Sequence, residues 1–415
     1  MPFAVQKRNP GSLFWLAVVA VSLLTLVPGT FTAGARGLSR CLACDDLSGL
    51  DAVHNVLLFV PIGFLAAWRL GRPWLVVAIS AVLSVSIEVV QVSLVPDRDA
   101  SALDVATNTT GAAIGVGLTL LSRARILPWV VGVLFFLGTL AGTAVLLKPA
   151  SLPPARIYGQ WAPHRPGFDQ FQGRVSQMLL GTVAVPHGLI PDQQGFRDAW
   201  DRRASARVEF QPAATLQSRP ALVARIVAVN DELVLFAERP GALIARLRLK
   251  ATEAGLRPLL LTLPLPVQAP SSSTASATFV PHAIVLEAGM SGASTRVRRV
   301  PLEASLGWAL LLPFELFLGE WVSYVSAAWV AVLTIPVGFG AVVRARGEVG
   351  LFAALLTIGP LAAGLAAVPW AAEAAPTHWT GWLGGIAGLL VGWGLGLRAA
   401  RGRVESRSGP APPSP

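Results

Sequence analysis

Charge is scarce in this chain: only 13% of its 415 residues are Asp, Glu, Lys or Arg, against about a quarter in soluble globular proteins. That deficit excludes an ordinary cytosolic enzyme, and an apolar content of 53% excludes a disordered chain. Cysteine is nearly absent as well. Cys41 and Cys44 form one C-x-x-C beside Asp45 and Asp46, too little for a disulfide scaffold or a structural zinc site, though enough for one small disulfide outside the cytoplasm. Among the five histidines, His164, His187, His282 and His378 share no spacing that would make them metal ligands. No cofactor-binding motif is present.

What the chain does have is hydrophobic length. About 20 apolar residues suffice to cross a bilayer as a helix, and eight stretches qualify, near 13–29, 52–70, 73–95, 103–121, 127–147, 321–343, 350–371 and 379–398. The first also resembles a secretory signal, with Lys7 and Arg8 ahead of it and Ala33-Gly34-Ala35 behind, but its apolar run is long for one. The 306–318 segment is apolar yet short and holds Pro313 and Glu315, so it reads as interfacial or re-entrant.

Orientation follows from the basic residues, because short Lys- and Arg-rich loops stay cytoplasmic. Lys7, Arg8, Arg69, Arg72, Arg123, Arg125, Arg344, Arg346, Arg398, Arg401, Arg403 and Arg407 all fall on one side of an eight-span chain, and only Arg36, Arg40 and Arg98 occur in short loops of the other. Both termini are therefore expected inside. Residues 148–305 are expected outside, a location that excludes nucleic acid as a partner.

Between 148 and 305 the texture changes, with shorter apolar runs and more Pro, Ser and Arg. Strand-like runs recur at 172–180, 205–211, 221–229, 232–237, 241–249, 277–287 and 293–300, punctuated by Asn230-Asp231 and Arg239-Pro240-Gly241. The expected fold class is a polytopic α-helical membrane protein with an inserted extracytoplasmic all-β sandwich. Its divisions are 1–147 (five spans), 148–305 (β domain), 306–400 (three spans) and a disordered tail at 401–415. The strands from Phe171 through the hairpin to Arg248 resemble a concanavalin-like or LamG-like jelly roll, which implies a carbohydrate or protein partner. Tyr158, Trp161, Phe168, Phe171 and Trp200 are either sugar platforms or core residues. Residues 150–305 carry 17 Lys and Arg against 11 Asp and Glu, a balance that attracts anionic envelope polymers or headgroups.

Ionisable groups inside spans cost about 2.5–3.5 kcal/mol each, yet here they cluster. Asp51, His54 and Asn55 open the second span, Glu88 and Gln91 end the third, and Asp104 and Asn108 open the fourth. Asp51/Asn55 and Asp104/Asn108 are i,i+4 pairs and Glu88/Gln91 an i,i+3 pair, so each shares a helix face. At about 1.5 Å per residue all three pairs fall roughly 6–10 Å beneath the outer boundary, under the loop that holds Arg98 and Ser101. Gly111 and Gly115 allow a neighbouring helix to approach closely.

The pattern Asp51-x-x-x-Asn55-x-x-x-Phe59-x-Pro61-x-Gly63, Glu88-x-x-Gln91, then Arg98-x-x-Ser101-x-x-Asp104-x-x-x-Asn108-x-x-Gly111 resembles the VanZ-like family over residues 50–115. The resemblance implies a small integral membrane domain of the bacterial envelope, associated with low-level resistance to a glycopeptide antibiotic and without settled biochemistry. Two chemical readings of the cluster stand beside a purely structural one, in which the polar groups only staple helices together. In the first, Asp51, Asn55, Gln91, Arg98, Ser101, Asp104 and Asn108 bind a membrane lipid or lipid-linked glycan, with Arg98 on its phosphate. In the second, Glu88 and His54 form a general acid/base pair of a membrane-embedded hydrolase or transferase acting on such a substrate. A metal site built from His54, Glu88 and Asp104 is the remaining alternative. Transport is disfavoured: no inverted repeat is evident, and no charge lies at the midplane.

Overall fold

The computed structural model describes residues 48–94, 101–121, 127–165, 167–212, 219–229, 231–265, 273–290, 293–345 and 351–405. The expected span at 13–29, Cys41 and Cys44, Arg98 with its loop at 96–100, and residues 406–415 lie outside the described residues. The chain divides into two compact units, Met1–Pro128 and Trp129–Pro415.

In the first unit three helices follow one another: α1 (Ser48–Leu70), α2 (Pro73–Leu94) and α3 (Ala102–Leu121). Gly71 ends α1 with φ +65°, and its amide reaches back to the carbonyl of Ala67 (3.1 Å). Pro73 then opens α2 in the first turn, where an amide proton has no acceptor within the helix. α1 and α3 run parallel and nearly touch. A Cβ on Gly63 would stand 2.1 Å from the Ala112 carbonyl oxygen, one on Gly111 2.3 Å from that of Val56, and one on Gly115 2.1 Å from that of Val60. Only glycine permits such an approach. One turn further on, Thr119 Oγ1 donates to the carbonyl of Phe64 (3.1 Å), in the same register.

The second unit begins with α4 (Leu127–Leu146) and inserts a β domain before α8 (Val322–Arg344), α9 (Leu351–Ala362), a π-helical turn (Ala363–Ala367), α10 (Val368–Ala371) and α11 (Trp379–Glu405). Phe136, Leu140 and Ala144 of α4 share one buried cluster with Val330, Leu333 and Val337 of α8, Leu361 and Leu365 of the α9 segment, and Leu389 of α11. Six helices among the described residues are long and apolar enough to cross a membrane: Ser48–Leu70, Pro73–Gln91, Pro128–Leu146, Val322–Arg344, Leu351–Ala371 and Trp379–Arg401. This is a multi-pass membrane protein. α3 has the length of a span but not the apolar content, because Asp104, Thr107, Asn108, Thr109 and Thr110 fill its first half.

The β domain comprises β1 (Ile157–Trp161), β2 (Arg174–Leu180), β3 (Val183–Ala184), β4 (Gly188–Leu189), α5 (Gln193–Asp201), β5 (Ala206–Gln211), β6 (Ala221–Ala228), β7 (Asp231–Arg239), β8 (Ala242–Leu247), α6 (Lys250–Glu253), β9 (Leu260–Pro264), β10 (Ser273–Val280), β11 (Ala283–Met290), β12 (Ala293–Pro301), α7 (Gly307–Leu310) and β13 (Phe317–Leu318). One sheet has the order β13-β9-β8-β7-β6-β1-β4, the other β12-β11-β10-β5-β2-β3. Pairing is antiparallel except between β13 and β9, and the two sheets form a sandwich-like pair. Burial alternates along β2 and β5 but is nearly continuous along β6, β7 and β8, the pattern of strands covered on both faces. Phe168 and Phe317 supply part of that cover, packing on Leu222, Leu235 and Ile244.

The structure departs from one expectation about the strands. The run 277–287 is not one strand, because Pro281 and His282 (φ +62°) turn the chain between β10 and β11. Within 306–318, α7 is buried, and Phe317 and Leu318 pair with Leu260 and Leu261 at the sheet edge. In the β domain the buried Glu232 is paired with arginines. Glu232 accepts from Arg246 (2.7 Å) and Arg165 (3.1 Å) and lies 3.6 Å from Arg225. Burial pulls the Arg246 guanidinium below its ordinary range, and the Glu232 charge opposes that shift.

Candidate functional site

α2 presents a polar stripe to its neighbours. Ser80, Ser84, Glu88 and Gln91 are all buried, at a spacing that places them on one helix face. Ser84 Oγ accepts from Asn108 Nδ2 (2.8 Å), and Glu88 Oε2 accepts from the backbone amide of Ser101 (2.9 Å). The second contact caps α3: a carboxylate meets one of the free amides at a helix N-terminus, where the helix dipole favours negative charge.

The parallel register of α1 and α3 places Asp104 beside Gly49 and Asn108 beside Val53. Asp51, His54 and Asn55 therefore occupy the same two turns as Asp104, Asn108, Ser84 and Glu88, at one end of the three-helix unit. Glu88, Gln91 and Asn108 are buried; His54, Asn55, Ser101 and Asp104 are half-buried; Asp51 is exposed. Asn108 Oδ1 is buried without a hydrogen-bond partner. Turning the amide over moves that deficit from one end to the other and does not remove it. No group of three His, Cys, Asp or Glu side chains among the described residues is placed to hold a metal ion. Ser80 and Ser84 were missed from sequence, although their i,i+4 and i,i+8 spacing to Glu88 was there to be read.

The second unit holds the same helical arrangement. A Cβ on Gly388 would meet the Ala331 carbonyl oxygen (2.0 Å), one on Gly392 that of Ile335 (2.3 Å), and one on Gly338 that of Leu389 (2.4 Å). These contacts reproduce, pair for pair, Gly111–Val56, Gly115–Val60 and Gly63–Ala112. The sequences agree too: Val60-Pro61-Ile62-Gly63-Phe64 corresponds to Ile335-Pro336-Val337-Gly338-Phe339, and Gly111, Gly115 and Gly117 correspond to Gly388, Gly392 and Gly394. The buried positions of α2 at Val76, Ser80, Ser84, Ile87 and Glu88 recur as Ala353, Thr357, Leu361, Gly364 and Leu365.

Only the framework is repeated. In this correspondence Asp51, His54 and Asn55 become Ser326, Trp329 and Val330; Ser84, Glu88 and Gln91 become Leu361, Leu365 and Val368; Asp104 and Asn108 become Gly381 and Gly385. A Cβ on Gly385 would touch Leu361, Leu365 and Val330, so the place of the polar cluster is filled there by aliphatic side chains. The cap survives by another route. The amide of His378, which corresponds to Ser101, donates to Glu303 Oε2 (3.1 Å) from the end of the β domain. Both units thus cap this helix with a carboxylate, whereas the Asn, Asp and Ser set is not shared.

No curated protein and no solved structure matches the chain, whereas residues 6–123, the stretch that contains α1, α2, α3 and their polar cluster, match the VanZ/LLP1 family model.

Proposed function

We propose that the first unit is a VanZ-like domain that binds the headgroup of an outer-leaflet lipid or lipid-linked glycan precursor in the polar cluster of α1, α2 and α3. The observation that carries this reading is the pair of like frameworks, of which one keeps the full polar set and the other has Val330, Leu361, Leu365, Gly381 and Gly385 where the first has Asn55, Ser84, Glu88, Asp104 and Asn108, with only Ser326 and Thr357 still polar. Packing alone is satisfied by the second solution. Keeping Asn55, Ser84, Asp104 and Asn108 in the first needs a further reason, since buried amides and carboxylates are costly in a membrane. The unpartnered Asn108 Oδ1 asks for a donor such as a headgroup hydroxyl.

The same reading sets the chain in a bacterial plasma membrane with both termini cytoplasmic and the β domain outside. Its support is that Arg69 and Arg72 lie at the end of the first unit away from the cluster, and Arg344, Arg398 and Arg401 at the end of the second away from the β domain. A concanavalin-like or LamG-like fold with a carbohydrate or protein partner belongs to the proposal as well, supported by the seven- and six-stranded sheets. So does a link to glycopeptide-antibiotic resistance.

The test replaces Asn55 and Asn108 by the residues the second unit uses, as Asn55→Val and Asn108→Gly. In nanodiscs the unaltered chain is expected to bind polyprenyl phosphate or its glycan-linked form, and the double variant to bind it at least about tenfold more weakly. Equal binding by both would overturn the reading. In cells, a deletion strain complemented by the double variant is expected to match the uncomplemented strain in glycopeptide sensitivity.

A further inference from the structure

A cavity of about 360 Å³ opens where the second unit's helices meet its β domain, between the end of α4, the β10–β11 turn and the turn after α10. Its walls divide by chemistry. Ala144, Leu147 and Phe279 give an apolar side, while Lys148, Arg203, His282 and Glu373 bring charge or polarity. Neither Lys148 nor Arg203 takes part in an ion pair among the described residues.

Three of these residues stand where chains ordinarily place glycine. Arg203 (φ +57°) follows α5, Glu373 (φ +52°) follows α10, and His282 (φ +62°) sits in the two-residue hairpin turn. Residues just past a helix end and in tight hairpins adopt the left-handed conformation, which penalises any side chain with a Cβ. This chain uses 40 glycines but none at these three positions, and all three side chains line one cavity. Backbone strain of this kind persists where a side chain is needed. His282 Nδ1 donates to the carbonyl of Glu373 (2.7 Å), so the hairpin and the post-helical turn are joined across the rim.

The level of the cavity indicates its occupant. It is reached from the last turn of α4, at the end of the helices where Tyr324, Trp370 and Trp379 are 70%, 83% and 62% exposed. Exposed Trp and Tyr at the ends of apolar helices mark the bilayer interface. We infer that this cavity is a second lipid site, which holds the phosphate of an anionic phospholipid on Lys148 and Arg203 with the start of its acyl chain against Ala144 and Leu147. A phosphodiester presents the oxygens that ammonium and guanidinium donors prefer. The site is separate from the polar cluster of the first unit and does not depend on it.

The full-length chain in nanodiscs doped with phosphatidylglycerol or phosphatidylcholine, washed with detergent and analysed for retained lipid, tests this. The unaltered protein is expected to retain phosphatidylglycerol at least about tenfold better than phosphatidylcholine. Lys148→Gln combined with Arg203→Gly should abolish that preference, although glycine relieves the backbone strain at 203 and keeps the protein folded. Asn55→Val with Asn108→Gly should leave it intact. Unchanged retention in the Lys148/Arg203 variant would overturn the proposal. So would inorganic phosphate binding the lipid-free protein as tightly as phosphatidylglycerol, since the site would then serve a free anion.

Discussion

Glu88 and Glu303 show how one chemical task can be met from two places. Each carboxylate accepts a backbone amide at the start of a helix, Ser101 in one unit and His378 in the other, and each is buried. Glu88→Ala should therefore destabilise the first unit by about 1–3 kcal/mol, the cost of a lost charge-assisted bond and an unsatisfied amide. Glu88→Gln keeps an acceptor and should cost less than half as much. Thermal unfolding followed by tryptophan fluorescence distinguishes the two, and an equal loss in both variants would contradict the capping role. In the β domain Glu232→Ala should be more severe, about 3–5 kcal/mol, because Arg246 is left buried and unpaired. Of the proposed ligand-contacting residues, the sequence showed that Asp51, Asn55, Asp104 and Asn108 are polar residues inside apolar helices. It did not show that Asn108 meets Ser84 rather than one of the other polar groups, since a contact between helices depends on their rotation and register, which no single helix encodes.

Within each unit one helix pair, α1 with α3 and α8 with α11, is brought together by glycine, while the other helices pack through large apolar side chains. Gly111 and Gly115 lie against carbonyls of α1, and Gly388 and Gly392 against carbonyls of α8, at distances that leave no room for a Cβ. Gly115→Leu and Gly392→Leu should each separate their helix pair and lower the yield of folded protein in detergent severalfold, as read by size-exclusion profile. Gly117→Ala, where an added Cβ meets nothing within 4 Å, should have little effect. Apolar run length located the six helices long and apolar enough to cross a membrane among the described residues, but it also counted 103–121, where α3 lacks that apolar content; β-rich rhythm located β2, β5, β6, β7, β8 and β12. Rhythm failed at 277–287, where Pro281 and His282 interrupt an otherwise continuous run of strand formers, and it passed over β1 and β9, whose five residues each carry little pattern. The likeness of the two three-helix sets escaped the sequence reading for a different reason. Its written trace is short, V-P-I-G-F against I-P-V-G-F and a few glycines, and the residues that first draw the eye in one set are those the other has lost.

At the scale of the molecule, one helical framework serves two purposes. The first set keeps a polar cluster at one end; the second fills that place with Val330, Leu361 and Leu365 and joins the β domain through Glu303, which accepts from Ser305 Oγ (3.0 Å) and the amide of His378. The proposed orientation predicts that a cysteine placed at the exposed Val229, in a background without Cys41 and Cys44, reacts with a membrane-impermeant maleimide in intact cells. Reaction only after lysis would place the β domain in the cytoplasm. Whether the polar cluster recognises a ligand is decided by the binding of polyprenyl phosphate to the full chain in nanodiscs, compared with the variant carrying Asn55→Val and Asn108→Gly. That variant is expected to fold and unfold like the parent yet bind at least about tenfold more weakly. A folded variant that binds as tightly as the parent would show that the polar cluster is helix packing and nothing more.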